Sequence, residues 1–469
     1  MSLPFKKNDD VSVEITGLTA EGAGIGRAEG AAVFVNGALP GERVRAHIIK
    51  TAASYAVGKL VEVETPSPVR TDPLCPVFSK CGGCSLQHME YQAQLEVKRE
   101  TVKNALERIG GFKGVEVEPT IGMEEPLGYR NKGSFPFGFS DGKAFYGLYA
   151  ARSHRLADAS NCAIERPEAL AACRAAAEWA NRFIVPVYSE ETHKGVLRHV
   201  VTRVMTGGVC VVIVTTGSLP HKEELIRLLQ DNVKGLVSVY HNVNPRATNV
   251  ICGEEYRLIW GADKVVHSLN GLEFAVSPES FLQVNTLQTE KLYSLVCREL
   301  ALGGNEIVAD VFCGIGTISL LLAGSAKKVV GIEYVSRAVE DARHNARLNG
   351  IENAEFYAGP AEALLPRLVE EGSVFDAVVL DPPRKGADEA VLRAIAKSGA
   401  RKVVYVSCDP ATLARDLKLL AEFGYTLQSV QPVDMFPMTG HVETVCCLYH
   451  QKKDFISVPY EPKNDGYLK

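Results

Sequence analysis

Asp310-Val-Phe-Cys-Gly-Ile-Gly-Thr317 is the stretch whose reading decides the fold. It closes a run of strand-forming residues at 307–311 and opens into a helical pattern. A glycine-bearing turn between strand and helix is where an open α/β sheet receives its ligand. Gly314 and Gly316 let the backbone approach that ligand closely. Glu333 lies nineteen residues beyond Gly314, at the end of the next strand, where a carboxylate can accept hydrogen bonds from both hydroxyls of a ribose. The third glycine of the dinucleotide fingerprint is missing, since Ser319 or Leu320 stands in its place. A nucleoside without a pyrophosphate suits this weaker loop, and S-adenosylmethionine (SAM) is such a ligand.

From about residue 286 strands and helices alternate. Strands are expected at 307–311, 328–332, 354–357, 377–380, 403–407, 425–433 and 442–450. Helical stretches separate all but the last two, so a doubly wound α/β sheet is expected, with an antiparallel final pair. Toward the N-terminus, residues 1–66 hold short alternating runs at 11–16, 32–35, 43–49 and 56–63. Glu21-Gly-Ala-Gly-Ile-Gly-Arg27 is read as a turn, and the whole as a small β barrel. Prolines 66, 68, 73 and 76 mark a boundary. An amphipathic helix is expected from Gln92 to Ile109, stopped by Gly110-Gly111. The middle of the chain is mixed α+β, with hairpin turns at Asp141-Gly142 and Asn270-Gly271, strands at 196–204 and 209–215, and a helix at 221–230.

The 469 residues are 46% hydrophobic and 23% charged, with 51 basic and 56 acidic side chains for a net charge of −5. That balance excludes a globally basic nucleic-acid coat but leaves room for local basic patches. No run approaches the ~18 apolar residues of a membrane span. The polar start lacks a signal peptide's apolar stretch, so a cytoplasmic protein is expected, and its twelve cysteines are thiols, ligands or nucleophiles.

Three strand ends carry chemistry. Leu380-Asp-Pro-Pro-Arg-Lys-Gly386 resembles the Asp-Pro-Pro turn at the reacting edge of methyltransferases that act on base nitrogens. Those enzymes follow the turn with an aromatic residue, whereas Arg384 here argues against amine methylation. Tyr405-Val-Ser-Cys408-Asp-Pro410 sets a thiol at the lip of the sheet. Uracil C5 is too weak a nucleophile to take a methyl group unaided. A thiolate added at C6 makes C5 an enolate carbon, and a base must later remove the C5 proton. Cys408 suits the first task. Glu443, in Gly-His-Val-Glu443-Thr, suits the second, with His441 as a competitor.

Cys75-Pro-Val-Phe-Ser-Lys-Cys81-Gly-Gly-Cys84 places three thiols within ten residues. Cys162 is the best candidate for a fourth ligand. Four thiolates suit zinc or an iron–sulfur cluster, and spacing alone does not separate them. Cys173, Cys210, Cys252, Cys297, Cys446 and Cys447 read as small core residues, and Cys313 has no evident task.

Together, the Ser-Cys-Asp-Pro, His-Val-Glu-Thr and Asp-Pro-Pro-Arg-Lys-Gly motifs, the 310–317 loop and Phe281-Leu-Gln-Val-Asn285 resemble the RNA uracil-C5 methyltransferases. The N-terminal β region resembles the TRAM domain that many of them carry. The resemblance covers nearly the whole chain. It implies a class I SAM methyltransferase fold with Cys408 as nucleophile and Glu443 as base. It also implies that Gln283, Phe312, Glu333 and Asp381 contact SAM or the reacting edge. Phe281 is then expected near the target base, and Arg130 of Gly-Tyr-Arg-Asn-Lys132 near the substrate. It favours a 4Fe–4S cluster on Cys75, Cys81, Cys84 and Cys162, with a structural or RNA-positioning role. Pro360 falls where adenine is usually contacted, and no contact is carried over to a residue lacking an N–H. The domains expected are a TRAM-like barrel at 1–66, a central α+β domain at 67–91 and 119–275, and a methyltransferase domain at 92–118 and 276–455. A C-terminal tail at 456–469 follows. RNA contact is expected on the barrel, which carries Arg27, Arg43, Arg45 and Lys50. The expected enzyme is a monomer, without membrane contact, that methylates C5 of a uridine in 23S ribosomal RNA. The alternatives are a transfer-RNA uridine C5-methyltransferase and a non-catalytic RNA-binding protein with a degenerate SAM fold.

Overall fold

Alternation of apolar and polar residues in Asp10–Leu18 and Arg43–Thr51 buries Val13, Ile15, Val44, Ala46 and Ile48 on one face. In the computed structural model, which describes residues 3–151 and 153–450, these strands close a five-stranded barrel. One sequence expectation needs correction. Gly24–Ala28, read as part of a turn, is a strand paired with both Asp10–Leu18 and Ala31–Asn36. A Cβ at Gly26 would lie 2.3 Å from the carbonyl oxygen of Glu14, so here glycine permits close strand approach. Buried Glu42 ties the barrel to the proline-rich segment by accepting from Arg70 Nε at 2.5 Å and Ser67 N at 3.2 Å. Arg43 and Arg45 pair with Glu64 and Glu62, which balances part of the barrel's positive charge.

The central part is a seven-stranded sheet. Its order is Tyr256–Gly261, Leu236–Val243, Gly208–Thr215, Leu197–Met205, Lys132–Ser140, Lys143–Tyr149 and Leu156–Asp158. Both expected hairpins form, at Asp141-Gly142 and Asn270-Gly271. Helix Pro167–Arg182 lies within the stretch read only as mixed α+β, and it buries Trp179 in this core.

The third sheet follows the expected alternation. Its strands lie in the order Ala354–Ala358, Lys328–Glu333, Ile307–Val311, Ala377–Leu380, Lys402–Ser407, Glu443–His450 and Tyr425–Val433. The first five run parallel, and Glu443–His450 is antiparallel to both its neighbours. The strand order reverses direction at Ile307–Val311, so a crevice opens at the carboxyl ends of that strand and Ala377–Leu380. Four-residue Ala377–Leu380 is buried throughout, as a central parallel strand must be. The expected C-terminal tail, 456–469, lies outside the described residues. Among the described residues, no helix is long and apolar enough to cross a membrane.

Helix Tyr91–Ala105 ends in a wider turn, Leu106–Gly110, and Gly111 takes φ +78°. The helix packs on helix Pro410–Glu422 and carries Lys98, whose ammonium donates to Asp434. Both side chains are fully buried. Asp434 also accepts from Tyr91 Oη at 2.8 Å. Replacing one partner of such a pair strands the other's charge, at a cost of about 3–5 kcal/mol. Lys98→Met is expected to lower the thermal unfolding midpoint sharply. Lys98→Met/Asp434→Asn, which leaves no charge behind, recovers most of the loss. Scanning calorimetry of the three proteins checks both, and equal midpoints for the single and double variants would contradict the assignment.

Candidate active site

Strand register brings the thiol and the carboxylate together. Ser407 pairs with Thr444 across antiparallel strands. Cys408 follows Ser407 and Glu443 precedes Thr444, so the two stand opposite one another at the strand ends, at a spacing where side chains typically begin about 5 Å apart. Both line a cleft of about 930 Å³. Cys408 is held from behind, because Asp409 caps helix Pro410–Glu422 by accepting from Ala411 N and Thr412 N, both at 2.9 Å.

Glu443 is 3% exposed, and its Oε2 has no hydrogen-bond partner. Burial raises its pKa, the Asp381 carboxylate adds to the rise, and Arg384 opposes it. Asp381 is likewise raised, by burial and then by Asp310. Burial pushes the Cys408 thiol up to about 11, with Glu443 and Asp381 contributing and Arg384 again opposing. His441 also lines the cleft, and burial lowers its pKa, with Arg384 and Lys98 adding to the effect. Arg384 is thus a cation that acts on Glu443, Cys408 and His441.

The glycine loop forms the cleft's other end. Phe312, Gly314 and Gly316 all take positive φ, at +73°, +55° and +83°. A Cβ on Gly314 would meet nothing within 4 Å, whereas one on Gly316 would press on Phe356 and Ala342 at 3.2 Å. Gly314 therefore leaves cleft space open, and Gly316 lets the following helix pack. Glu333 accepts from Gly314 N at 3.1 Å and Val335 N at 2.8 Å, one bond on each oxygen. Each oxygen keeps a lone pair for a ribose hydroxyl.

Phe281 is 68% exposed along the cleft, and Gln283 is buried beside it. Their segment is strapped from two sides. Arg203 donates to the carbonyls of Pro278 and Ser280, while Asp341 accepts from Ser277 Oγ at 3.0 Å and Ser280 Oγ at 2.8 Å. Asn131 Nδ2 donates to the Gln283 carbonyl at 3.0 Å.

The cleft brings together Phe281, Gln283, Phe312, Gly314, Glu333, Asp381, Cys408 and Glu443, with Pro360 contributing an apolar wall. Arg130 is not among its lining residues. It pairs with buried Glu165 at 3.2 Å, and burial raises that carboxyl to about 7 against the opposing charge of Arg130. Sequence reasoning missed Asp310, which lines the cleft, accepts from Ser319 Oγ at 2.5 Å and is raised by burial to about 7. Its place at a strand end, first in the decisive stretch, is the signal that could have found it.

Cys75, Cys81, Cys84 and Cys162 line a second, small cavity with Val77, Phe78, Leu148 and Ile164. Gly83 N points at Cys81 Sγ from 3.3 Å, and Gln87 Nε2 at Cys84 Sγ from 3.2 Å. Burial, reinforced by the neighbouring sulfurs, raises Cys84 to about 12. Among the described residues, no three metal-ligating side chains gather tightly enough to hold a single metal ion. The four thiols ring an apolar space, with N–H donors aimed at two sulfurs. Four thiols are a donor set that both zinc and iron–sulfur groups use.

A model of the tRNA (uracil-5-)-methyltransferase family matches residues 253–452, and a TRAM domain model matches residues 4–61. A protein described as an uncharacterized RNA methyltransferase from Clostridium tetani is 47% identical over 456 residues, which covers 96% of this chain and 99% of its own. Another from Halalkalibacterium halodurans is 46% identical over 448 residues, covering 95% and 98%. Among solved structures, the Pyrococcus abyssi tRNA (uracil-54, C5)-methyltransferase in complex with S-adenosyl-L-homocysteine superposes with a TM-score of 0.75. It is 28% identical, and the match covers 93% of this chain and 99% of that one.

The electrostatics make a prediction about the free protein. Alkylation of Cys408 by iodoacetamide, followed by peptide mass spectrometry, is expected to rise through a midpoint near pH 11. Where the thiol titrates, the neighbouring carboxylates are ionised, so Asp381→Asn lowers the midpoint and Arg384→Ala raises it. Unmoved midpoints in both variants would contradict this arrangement.

Proposed function

Because the chain belongs to the RNA uracil-5-methyltransferase family, we propose that it methylates C5 of a uridine in 23S ribosomal RNA, with Cys408 as nucleophile and Glu443 as base. The observation that carries the chemistry of this reading is the strand register that sets a cleft-lining thiol opposite a buried carboxylate with an unpartnered oxygen. SAM supplies an electrophilic methyl group when bound. Glu333 would hold its ribose, while Phe312, Gly314, Gly316 and Gln283 would shape its place, and Asp381 would face both it and the reacting edge. Phe281, exposed in the cleft, is suited to stack on the target base, which must leave its own stack to enter. Arg130, paired with Glu165 rather than lining the cleft, would meet RNA flanking that base.

Cys408 Sγ adds to C6, and the electron pair displaced from the C5–C6 double bond makes C5 nucleophilic. After C5 has gained the methyl group, the Glu443 carboxylate removes its proton. The freed pair restores the double bond, and the C6–Sγ bond breaks back to thiolate. A carboxyl raised above its ordinary range holds this proton more readily than a solvated one does.

The four ringed cysteines would hold a 4Fe–4S cluster in a structural or RNA-positioning role. The chain would divide into an RNA-binding barrel at 1–66, a central domain at 67–91 and 119–275, and a methyltransferase domain formed by 92–118 with the chain from 276. It would act as a monomer in the cytoplasm. A second reading, transfer RNA as substrate, is favoured by the names of the matching family and of the Pyrococcus abyssi enzyme.

Transcripts of 23S ribosomal RNA and of transfer RNA carrying uridine tritiated at C5 test the reaction and its substrate together. The expected result is SAM-dependent tritium release from the ribosomal transcript. Cys408→Ala is expected to slow it by at least about a thousandfold, as loss of a nucleophile does. Release from transfer RNA alone would replace the substrate and keep the chemistry. Release undiminished in Cys408→Ala would contradict the mechanism.

A further inference from the structure

The cysteine loop touches the catalytic segment at a point that its thiols do not explain. Ser85 follows Cys84 directly. Ser85 N and Leu86 N both donate to the Met438 carbonyl at 3.0 Å, and Ser85 Oγ accepts from Gly440 N at 3.1 Å. From the other side, fully buried Gln94 accepts from Met438 N at 3.1 Å. Its Nε2 donates to the carbonyls of Leu86 at 3.1 Å and Met89 at 2.8 Å.

Met438 needs such a clamp. It takes φ +68°, a left-handed conformation that a long side chain disfavours and that persists only where surroundings over-determine it. Gly440 is equally confined, since a Cβ there would lie 2.3 Å from the carbonyl oxygen of Ala20 in the barrel. The segment between Met438 and Glu443 is thus gripped by the cysteine loop, the helix bearing Gln94 and a barrel turn. Cys408 is anchored separately, through the Asp409 cap and its own strand.

Resting on the roles proposed for Cys408 and Glu443, we infer that Ser85 is a positioning residue for proton removal. Its hydroxyl holds Gly440 N, while its own N–H, Leu86 N and Gln94 hold Met438 left-handed, and the two grips together aim the Glu443 carboxylate at C5. Loosening this clamp leaves thiolate addition and methyl transfer intact. It slows the step in which Glu443 takes the C5 proton, the C5–H pair forms the C5–C6 double bond, and the C6–Sγ pair returns to Cys408.

The test uses the full chain purified without oxygen, SAM and an unfluorinated RNA substrate identified by tritium release. Rapid quench follows S-adenosylhomocysteine, and denaturing gels follow covalent protein–RNA adduct. Ser85→Ala is expected to give a stoichiometric burst of S-adenosylhomocysteine at the wild-type rate. Turnover then slows by roughly tenfold to a hundredfold, the scale of an ångström misplacement, and adduct accumulates on ordinary uridine. Ser85→Thr, which keeps the hydroxyl, restores turnover. Equal slowing of burst and turnover, or failure of the Ser85→Thr rescue, overturns the inference. Glu443→Gln runs in parallel. If it accumulates adduct and Ser85→Ala does not, the clamp is refuted and the base assignment stands. If Glu443→Gln accumulates none, the base assignment falls and takes the inference with it.

Discussion

The pairing of Ser407 with Thr444 is the constraint on which the rest of the site depends. Cys408 and Glu443 are thirty-five positions apart in the chain, and only the antiparallel insertion of Glu443–His450 beside Lys402–Ser407 puts them face to face. A one-residue slip in that register would turn every side chain of the strand to the other face of the sheet. The register is secured on both sides. Val404 pairs with Cys447 on one neighbour, and Val433 pairs with Glu443 on the other. Cys446 and Cys447 pack into different apolar cores, one on each face of the sheet. The small thiols read as core residues in the sequence therefore help lock the strand that carries the proposed base.

Around this register the cleft concentrates groups that resist charge. Glu443, Asp381 and Asp310 are carboxyls raised by burial, and Cys408 is a thiol raised by burial and by two of those carboxylates. Arg384 opposes the rise at Cys408 and Glu443. Strain sits nearby too. Phe312 in the glycine loop and Met438 before Glu443 are both non-glycine residues in the left-handed region. Such conformations gather where neighbouring structure holds a functional geometry against local preference.

The parts of this architecture legible in the sequence are those written locally. The strand–glycine turn–helix at 310–317 announced the cofactor end of the sheet, and alternation announced the strands around it. The Cys408 and Glu443 motifs each sit at a strand end, where turn residues mark the chain. Periodicity could not separate a tight turn from a glycine-rich strand, so Gly24–Ala28 was misread. Alanine-rich Pro167–Arg182 buries Leu170 and Trp179 and exposes Arg174 and Glu178, yet it stands unassigned within the stretch read as mixed α+β. Arg130 carries a substrate expectation, and its guanidinium pairs with Glu165 outside the lining of the cleft. The clamp on Met438 joins residues more than 340 positions apart, and no local pattern records it.

The central claim is that Cys408 forms the covalent bond to the target uridine. Its most direct test is an RNA substrate carrying 5-fluorouridine, incubated with SAM and the intact protein. Fluorine at C5 leaves no proton for Glu443 to remove, so the adduct cannot resolve. The expected result is a denaturation-stable protein–RNA complex whose modified peptide contains Cys408 and whose RNA fragment contains the target nucleotide. A stable adduct on any other residue, or methylated fluorouridine with no adduct at all, would contradict the account.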